Sequence, residues 1–267
     1  MRGNLYKSIF LLCILMLALN LRGDEKGTVR NIDLITGNIN YRIALGIFNK
    51  DGKEYISGIG LLGSSDGRTY SKRGWSAQGF IQLKMNGENL FKYPVEIKSD
   101  VKTCEMNFNT PEGKSSITFR TEEQGNRLLT TIHMPGKGKL ETTLIAYPGE
   151  FNKQNLSLNQ RHVATAMRDL AFPSEEKIGK EEAWIYFYDG KNNPQGNPYK
   201  STCAVLYNPN ETEQVGVKGE NYAVRTTLVH KEGLKEVHYI FWEFPGRDHF
   251  KALEYMKNLK IEYMKSL

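Results

Sequence analysis

Four side chains in this sequence are of the types that acid–base chemistry uses: Arg161, His162, Arg225 and His238. A lyase or an epimerase needs a base, an acid and a cation that steadies a developing carboxylate or enolate. Histidine titrates near neutral pH, and arginine stays charged. Tyr188 adds a phenol to the same set. A glycosidase would instead need two carboxylates about 5–5.5 Å or about 6.5–9.5 Å apart. Asp189 and Glu243 stand at the ends of strand-like runs and are the candidates for that role.

Aromatic spacing points to a ligand class. Trp184, Tyr186 and Tyr188 alternate with Ile185 and Phe187, so a strand would place the three on one face. Rings with polar tips suit a half-wet surface. Sugars offer C–H faces that stack on rings, and hydroxyls that seek amides and carboxylates. Asp189, Asn192, Asn193 and Asn197 follow directly. A glycan ligand is therefore expected near Trp184, Tyr186, Tyr188, Asp189, Trp242 and Glu243. The opposing reading is that these rings fill the core.

Other motifs carry less. Gly58, Gly60 and Gly63 spell G-x-G-x-x-G, but a loop follows where a phosphate-binding helix would have to open. These glycines read as strand positions where another backbone comes close. Five histidines without H-x-H or H-E-x-x-H spacing assemble no zinc site, so neither metal nor cofactor is expected. No G-x-S-x-G is present. Arg22-Gly23-Asp24 reads as a chance tripeptide, and Asn155 and Asn210 open glycosylation sequons.

Hairpin signals set the elements that would position these residues. Asp51-Gly52 separates two apolar runs and predicts a type I′ turn that pairs Phe48 with Tyr55 and Ile47 with Ile56. Asn86-Gly87 repeats the signal, and Pro94 marks an edge or a bulge. Further strand-like runs surround 110–113 and 135–138, and others cover 183–188, 203–207, 222–230 and 235–244. A turn at Glu232-Gly233 would pair residues 222–230 with 235–243 as a hairpin. Val224, Thr226 and Leu228 would then share a core face with Phe241, Tyr239 and Val237, and Arg225, His238 and Trp242 would gather on the other. Residues 150–182 are irregular and admit a short helix over His162–Leu170. Past Pro245-Gly246, Asp248 can cap a helix over 249–264, with Phe250, Leu253, Met256 and Leu259 at helical spacing. The expected class is all-β: a large two-sheet antiparallel β-sandwich with one C-terminal α-helix.

The N-terminus reads as a signal peptide over residues 1–23. Arg2 and Lys7 form its basic region, and an 11-residue apolar run, Ile9 through Leu19, follows. As a helix that run spans roughly 16 Å, about half the hydrocarbon thickness, so no stable membrane span is expected. Cys13 lacks the small preceding residue that a lipid anchor needs. Residues 24–267 would form a single β-sandwich domain. Arg2, Lys7 and Arg22 are the only charges before Asp24, so the chain of net charge +6 becomes one of 33 basic and 30 acidic residues, net +3. That excess is small for a nucleic-acid binder. Cys104 and Cys203 remain, and in an oxidising compartment they allow one disulfide.

The sequence thus supports an exported protein, periplasmic or extracellular, that binds or processes a polysaccharide, with lyase- or epimerase-like chemistry within reach. A non-catalytic envelope or cell-surface protein that makes protein–protein contacts is the rival. The sequence separates neither enzyme from binding module nor one oligomeric state from another.

Overall fold

A computed structural model describes residues 27–35, 37–122, 126–135, 138–149, 160–171, 175–220 and 223–259. The expected signal peptide and the Asn155 sequon lie outside these residues. In chain order the strands are β1 (Thr28–Ile35), β2 (Asn40–Lys50), β3 (Lys53–Ser64), β4 (Gly74–Trp75), β5 (Ile81–Met85), β6 (Glu88–Asn89), β7 (Val95–Ser99), β8 (Thr103–Thr110), β9 (Gly113–Thr121), β10 (Leu128–His133), β11 (Leu140–Tyr147), β12 (Arg161–Ala164), β13 (Asp169–Ala171), β14 (Glu176–Ile178), β15 (Trp184–Asp189), β16 (Cys203–Tyr207), β17 (Thr212–Glu220), β18 (Ala223–His230) and β19 (Glu236–Glu243). Among the described residues one α-helix, α1 (His249–Lys257), follows.

The strands form two antiparallel sheets. The first runs β1-β2-β3-β5-β11-β18-β17-β14, with β4 against β11 and β6 against β5. The second runs β13-β12-β15-β16-β19-β10-β9-β8-β7. Their inner faces meet through aromatic contacts. Trp75 and Phe80, on the first-sheet side, meet Phe187 and Phe241 of the second with centroids 5.3–5.5 Å apart. The architecture is the expected sandwich with one C-terminal helix.

Period-2 burial explains most of the strands. In β2, Tyr41, Ile43, Leu45 and Ile47 face inward and the residues between them face outward. The β2–β3 turn has positive φ at both Asp51 (51°) and Gly52 (71°), and Phe48 pairs with Tyr55 and Ile47 with Ile56 as expected. The glycines of β3 allow close approach: a Cβ at Gly60 would lie 2.0 Å from the Ala77 carbonyl oxygen, and one at Gly58 2.2 Å from that of Gln78. Pro94 precedes β7, an edge strand.

Several expectations need correction. Strands β18 and β19 are not a hairpin. β18 pairs with β11 and β17 in the first sheet, whereas β19 pairs with β10 and β16 in the second. Both inner faces are apolar because they meet across the core, not along a shared ladder. The stretch 162–170 is not helical: β12 and β13 form a hairpin there, closed by the Thr165 amide donating to the Arg168 carbonyl at 2.8 Å. The disulfide that the sequence allows between Cys104 and Cys203 does not form. Cys104 and Cys203 are buried free thiols on β8 and β16, strands separated by β19, β10 and β9. Three intervening strands put them roughly 19 Å apart, well beyond disulfide reach.

Helix α1 is capped by Asp248, whose Oδ1 accepts from the amides of Phe250 and Lys251 at 3.0 Å. Ala252, Leu253 and Met256 are buried against the second sheet, while Phe250 is 61% exposed. The expected helical residues 260–264 lie outside the described residues.

Candidate functional site

Arg161 and His162 open β12, beside β15. Alternation sends His162 to the outer face of the second sheet and Arg161 to the inner side. His162 pairs across the ladder with Tyr188, and Arg161 with Asp189. Four of the residues singled out in the sequence are therefore brought together.

On the outer face, His162 stacks on Tyr188 with centroids 4.6 Å apart. Its Nδ1 lies 3.0 Å from Asp169 Oδ1. Asp169 Oδ2 accepts the Tyr188 hydroxyl at 2.6 Å. One carboxylate thus bridges phenol and imidazole. Burial, and then the bonded Asp169 carboxylate, hold the Tyr188 hydroxyl well above its ordinary range. The His162 side chain is 25% exposed and that of Asp169 42%, so the couple faces solvent. Gly190 flanks the imidazole closely: a Cβ there would lie 3.0 Å from His162 Nε2.

Two neighbours carry unpaired nitrogens. His249, at the first turn of α1, packs against Tyr188 at 5.3 Å and is buried with both ring nitrogens unpartnered. Burial lowers its pKa. Arg161 is 6% exposed; its Nε donates to the Pro148 carbonyl at 3.2 Å, and its Nη1 has no partner. Burial lowers the Arg161 pKa, opposed by nearby Asp189. A buried polar group left without a partner costs about 1–3 kcal/mol, and such groups mark places where water or a ligand is held.

The remaining predicted residues do other things. Trp184, Tyr186 and Trp242 lie on the outer face of the second sheet, but α1 covers them. The Tyr186 hydroxyl donates to the His249 carbonyl at 2.9 Å, which seats the helix. Asp189 is buried and accepts from the amides of Lys191 and Asn192, so it shapes the loop. Asn193 Nδ2 donates to Asp248 Oδ2 at 2.6 Å, so that amide ties the loop to the helix cap. Glu243 faces the core: Oε2 accepts from Ser71 Oγ and Oε1 from the Trp75 amide, each at 2.8 Å. Arg225 is in the first sheet, its Nε donating to Glu220 Oε1 at 2.9 Å. His238 is in the second sheet, with Nδ1 2.9 Å from Glu211 Oε1. The expected convergence of Arg225, His238 and Trp242 does not occur.

No protein-family model matches the chain, and no curated protein matches it. Solved structures resemble it in fold. A galactose mutarotase related enzyme from Lactobacillus acidophilus is 7% identical with a TM-score of 0.49, covering 82% of this chain and 99% of that one. The GalM/aldose epimerase homologue from C. elegans is 8% identical with a TM-score of 0.48, covering 82% and 100%. The alpha-galactosidase from Lactobacillus brevis is 9% identical with a TM-score of 0.41; the match covers 81% of this chain and only 39% of the galactosidase. The likeness is one of fold.

Asp169 and His249 are the site residues that sequence reasoning missed. Asp169 reaches His162 only because a hairpin replaces the expected helix. His249 sits next to the helix cap, where nothing in the local pattern separates it from an ordinary first-turn residue. Among the described residues, no three His, Cys, Asp or Glu side chains converge as metal ligands, and no helix is long and apolar enough to cross a membrane.

Proposed function

We propose that the chain is an exported, carbohydrate-directed protein whose site is the His162–Asp169–Tyr188 cluster. The observation that carries this reading is the bridging carboxylate. Asp169 fixes the orientation of His162 through Nδ1, which leaves Nε2 as the group that can exchange a proton with a bound hydroxyl or an acidic C–H. His162 is then the acid–base residue and Asp169 a positioning residue. Tyr188 and His249 line the site with rings, while Arg161 is on the opposite face of the sheet, paired through its strand with Asp189, and takes no part in it. An epimerase- or lyase-like proton transfer is the chemistry this set performs.

Affinity electrophoresis of the chain lacking residues 1–23 through gels cast with different polysaccharides tests binding. Retardation by at least one glycan is expected, and it should be lost in His162→Gln with the circular dichroism spectrum unchanged. No retardation by any glycan would overturn the reading. Export is tested separately by sequencing the N-terminus of protein recovered outside the cytoplasm; cleavage within residues 18–23 is expected.

One observation favours the rival. The aromatic face that would have stacked on sugars is packed under α1. A non-catalytic envelope protein has no need of an open aromatic platform. Under that reading His162→Gln leaves all partners bound, and cross-linking in cells captures proteins, not glycans.

A further inference from the structure

Beyond the α1-covered part of the second sheet, strands β9, β10 and β19 carry a separate concavity of about 280 Å³. β15 and β16 stand between these strands and β12 in the sheet order, so this place is distinct from the His162 cluster. Its lining includes Thr118, Arg120, Leu129, Thr131 and His238. Register explains why they meet. Thr131 pairs with His238 on one side and Thr118 on the other, while Leu129 pairs with Arg120. One rung is therefore hydroxyl, hydroxyl and imidazole; the next, roughly 7 Å along the strands, offers an aliphatic floor and a guanidinium.

The imidazole is held firmly. Glu211 Oε1 lies 2.9 Å from His238 Nδ1, and Glu211 Oε2 accepts the His238 amide at 2.8 Å. Glu236 Oε2 stands 3.7 Å from Nε2. Two carboxylates thus already answer the charge of His238. Arg120 differs: it is exposed, and its guanidinium makes no ion pair with the described residues. Glu105 stands opposite Thr118 in the strand register, with Lys98 of β7 on its other side, and makes no ion pair with Arg120. Among the described residues, the concavity therefore presents one fork-shaped cation without an ion-pair partner, three side chains that hydrogen-bond and one apolar surface. A planar fork matches a carboxylate bidentately. The volume suits a small ligand.

We propose that this concavity binds a hydroxylated carboxylate the size of a single sugar acid. Arg120 pairs with the carboxylate, Thr118, Thr131 and His238 hold hydroxyls, and Leu129 lies under the C–H face. The proposal is independent of the reading given to His162.

Isothermal titration of the whole chain with sodium glucuronate, glucose, sodium acetate and sodium sulfate tests it. Glucuronate is expected to bind, and glucose and acetate to bind about tenfold more weakly or not at all, since each lacks half of the recognised groups. Arg120→Gln should weaken glucuronate by about tenfold or more, and His162→Gln should leave it unchanged. Arg120 is exposed, so its variant should keep the fold; Thr131→Val provides a second reading on the same rung and should also weaken binding. Any of four results overturns the proposal: no binding of glucuronate, equal binding of acetate or sulfate, wild-type affinity in both groove variants, or loss on His162→Gln alone.

Discussion

Glu243 Oε1 accepts the backbone amide of Trp75 at 2.8 Å, joining the last strand of the second sheet to β4 of the first. Burial pushes this carboxyl up from 4.5 to about 8, although hydrogen bonds from serine hydroxyls and the Trp75 amide act the other way. A folded pKa above the unfolded one gives a contribution fully present below about pH 4.5 and lost as pH rises towards 8. Wild-type stability from this group therefore falls between pH 5 and pH 8. Glu243→Gln should flatten that fall, since the amide oxygen can still accept from Trp75. Urea midpoints at pH 5, 6.5 and 8 check it; parallel profiles for the two proteins would contradict the assignment.

The close approach at Gly60 should be unforgiving. A Cβ there meets the Ala77 carbonyl oxygen at 2.0 Å, whereas one at Gly79 meets nothing within 4 Å. Gly60→Ala should cost about 3 kcal/mol, as overpacking against backbone does. Gly79→Ala should stay within about 0.5 kcal/mol. Denaturant unfolding of both variants measures the contrast.

Both thiols should be silent in the folded protein. Cys203 is fully buried, and burial pushes the Cys104 thiol up to about 12. In the chain lacking residues 1–23, and so Cys13, a thiol reagent such as Ellman's should titrate neither residue in native buffer and both in denaturant, with equal results before and after reduction. A pair that needs reduction before it reacts would restore the disulfide.

Gly190 sits against His162 Nε2, so its replacement reports on that nitrogen directly. Gly190→Ala should slow modification of His162 by diethyl pyrocarbonate several-fold, read by peptide mass spectrometry, while His133, exposed at the C-terminal end of β10, reacts as before. An unchanged rate at His162 would remove residue 190 from the site wall.

Under α1, Met256 is fully buried and Phe250 mostly exposed. Met256→Ala should destabilise by about 2–4 kcal/mol, and Phe250→Ala by about 0.5 kcal/mol or less. Thermal melts rank the two. Equal effects would mean that the helix is seated on its other face.

Local signals in the sequence were reliable where the partner lies nearby along the chain. Asp51-Gly52 forces positive φ at two residues, and register follows from turn geometry, so Phe48 and Tyr55 could be paired in advance. The run from Ala223 to Glu243 defeated the same logic. Alternation there correctly marks Val224, Thr226 and Leu228, with Val237, Tyr239 and Phe241, as inward. Periodicity says which side a residue faces, not which strand lies beside it, and a connection of a few residues serves a hairpin or a passage between sheets equally well. The site was half legible for a related reason. Arg161, His162, Tyr188 and Asp189 are adjacent because β12 and β15 pair, and each pair sits at a strand end. Trp184, Tyr186 and Trp242 looked available because nothing in a strand's alternation discloses the helix that folds back over them, whether it starts far along the chain from Trp184 and Tyr186 or a few residues after Trp242. Cys104 and Cys203 share a sheet, but only the strand order reveals their separation.

The alternation of strands between the two layers governs how the molecule comes apart. The first sheet takes β11, β14, β17 and β18 from segments that interleave with β10, β12, β13, β15, β16 and β19 of the second. Neither layer is a continuous stretch of chain, so neither can melt while its connections stay anchored in the other. Unfolding is expected as one cooperative calorimetric transition. Refolding should be slow, because ladders such as β3–β5–β11–β18 close only after large loops have been ordered.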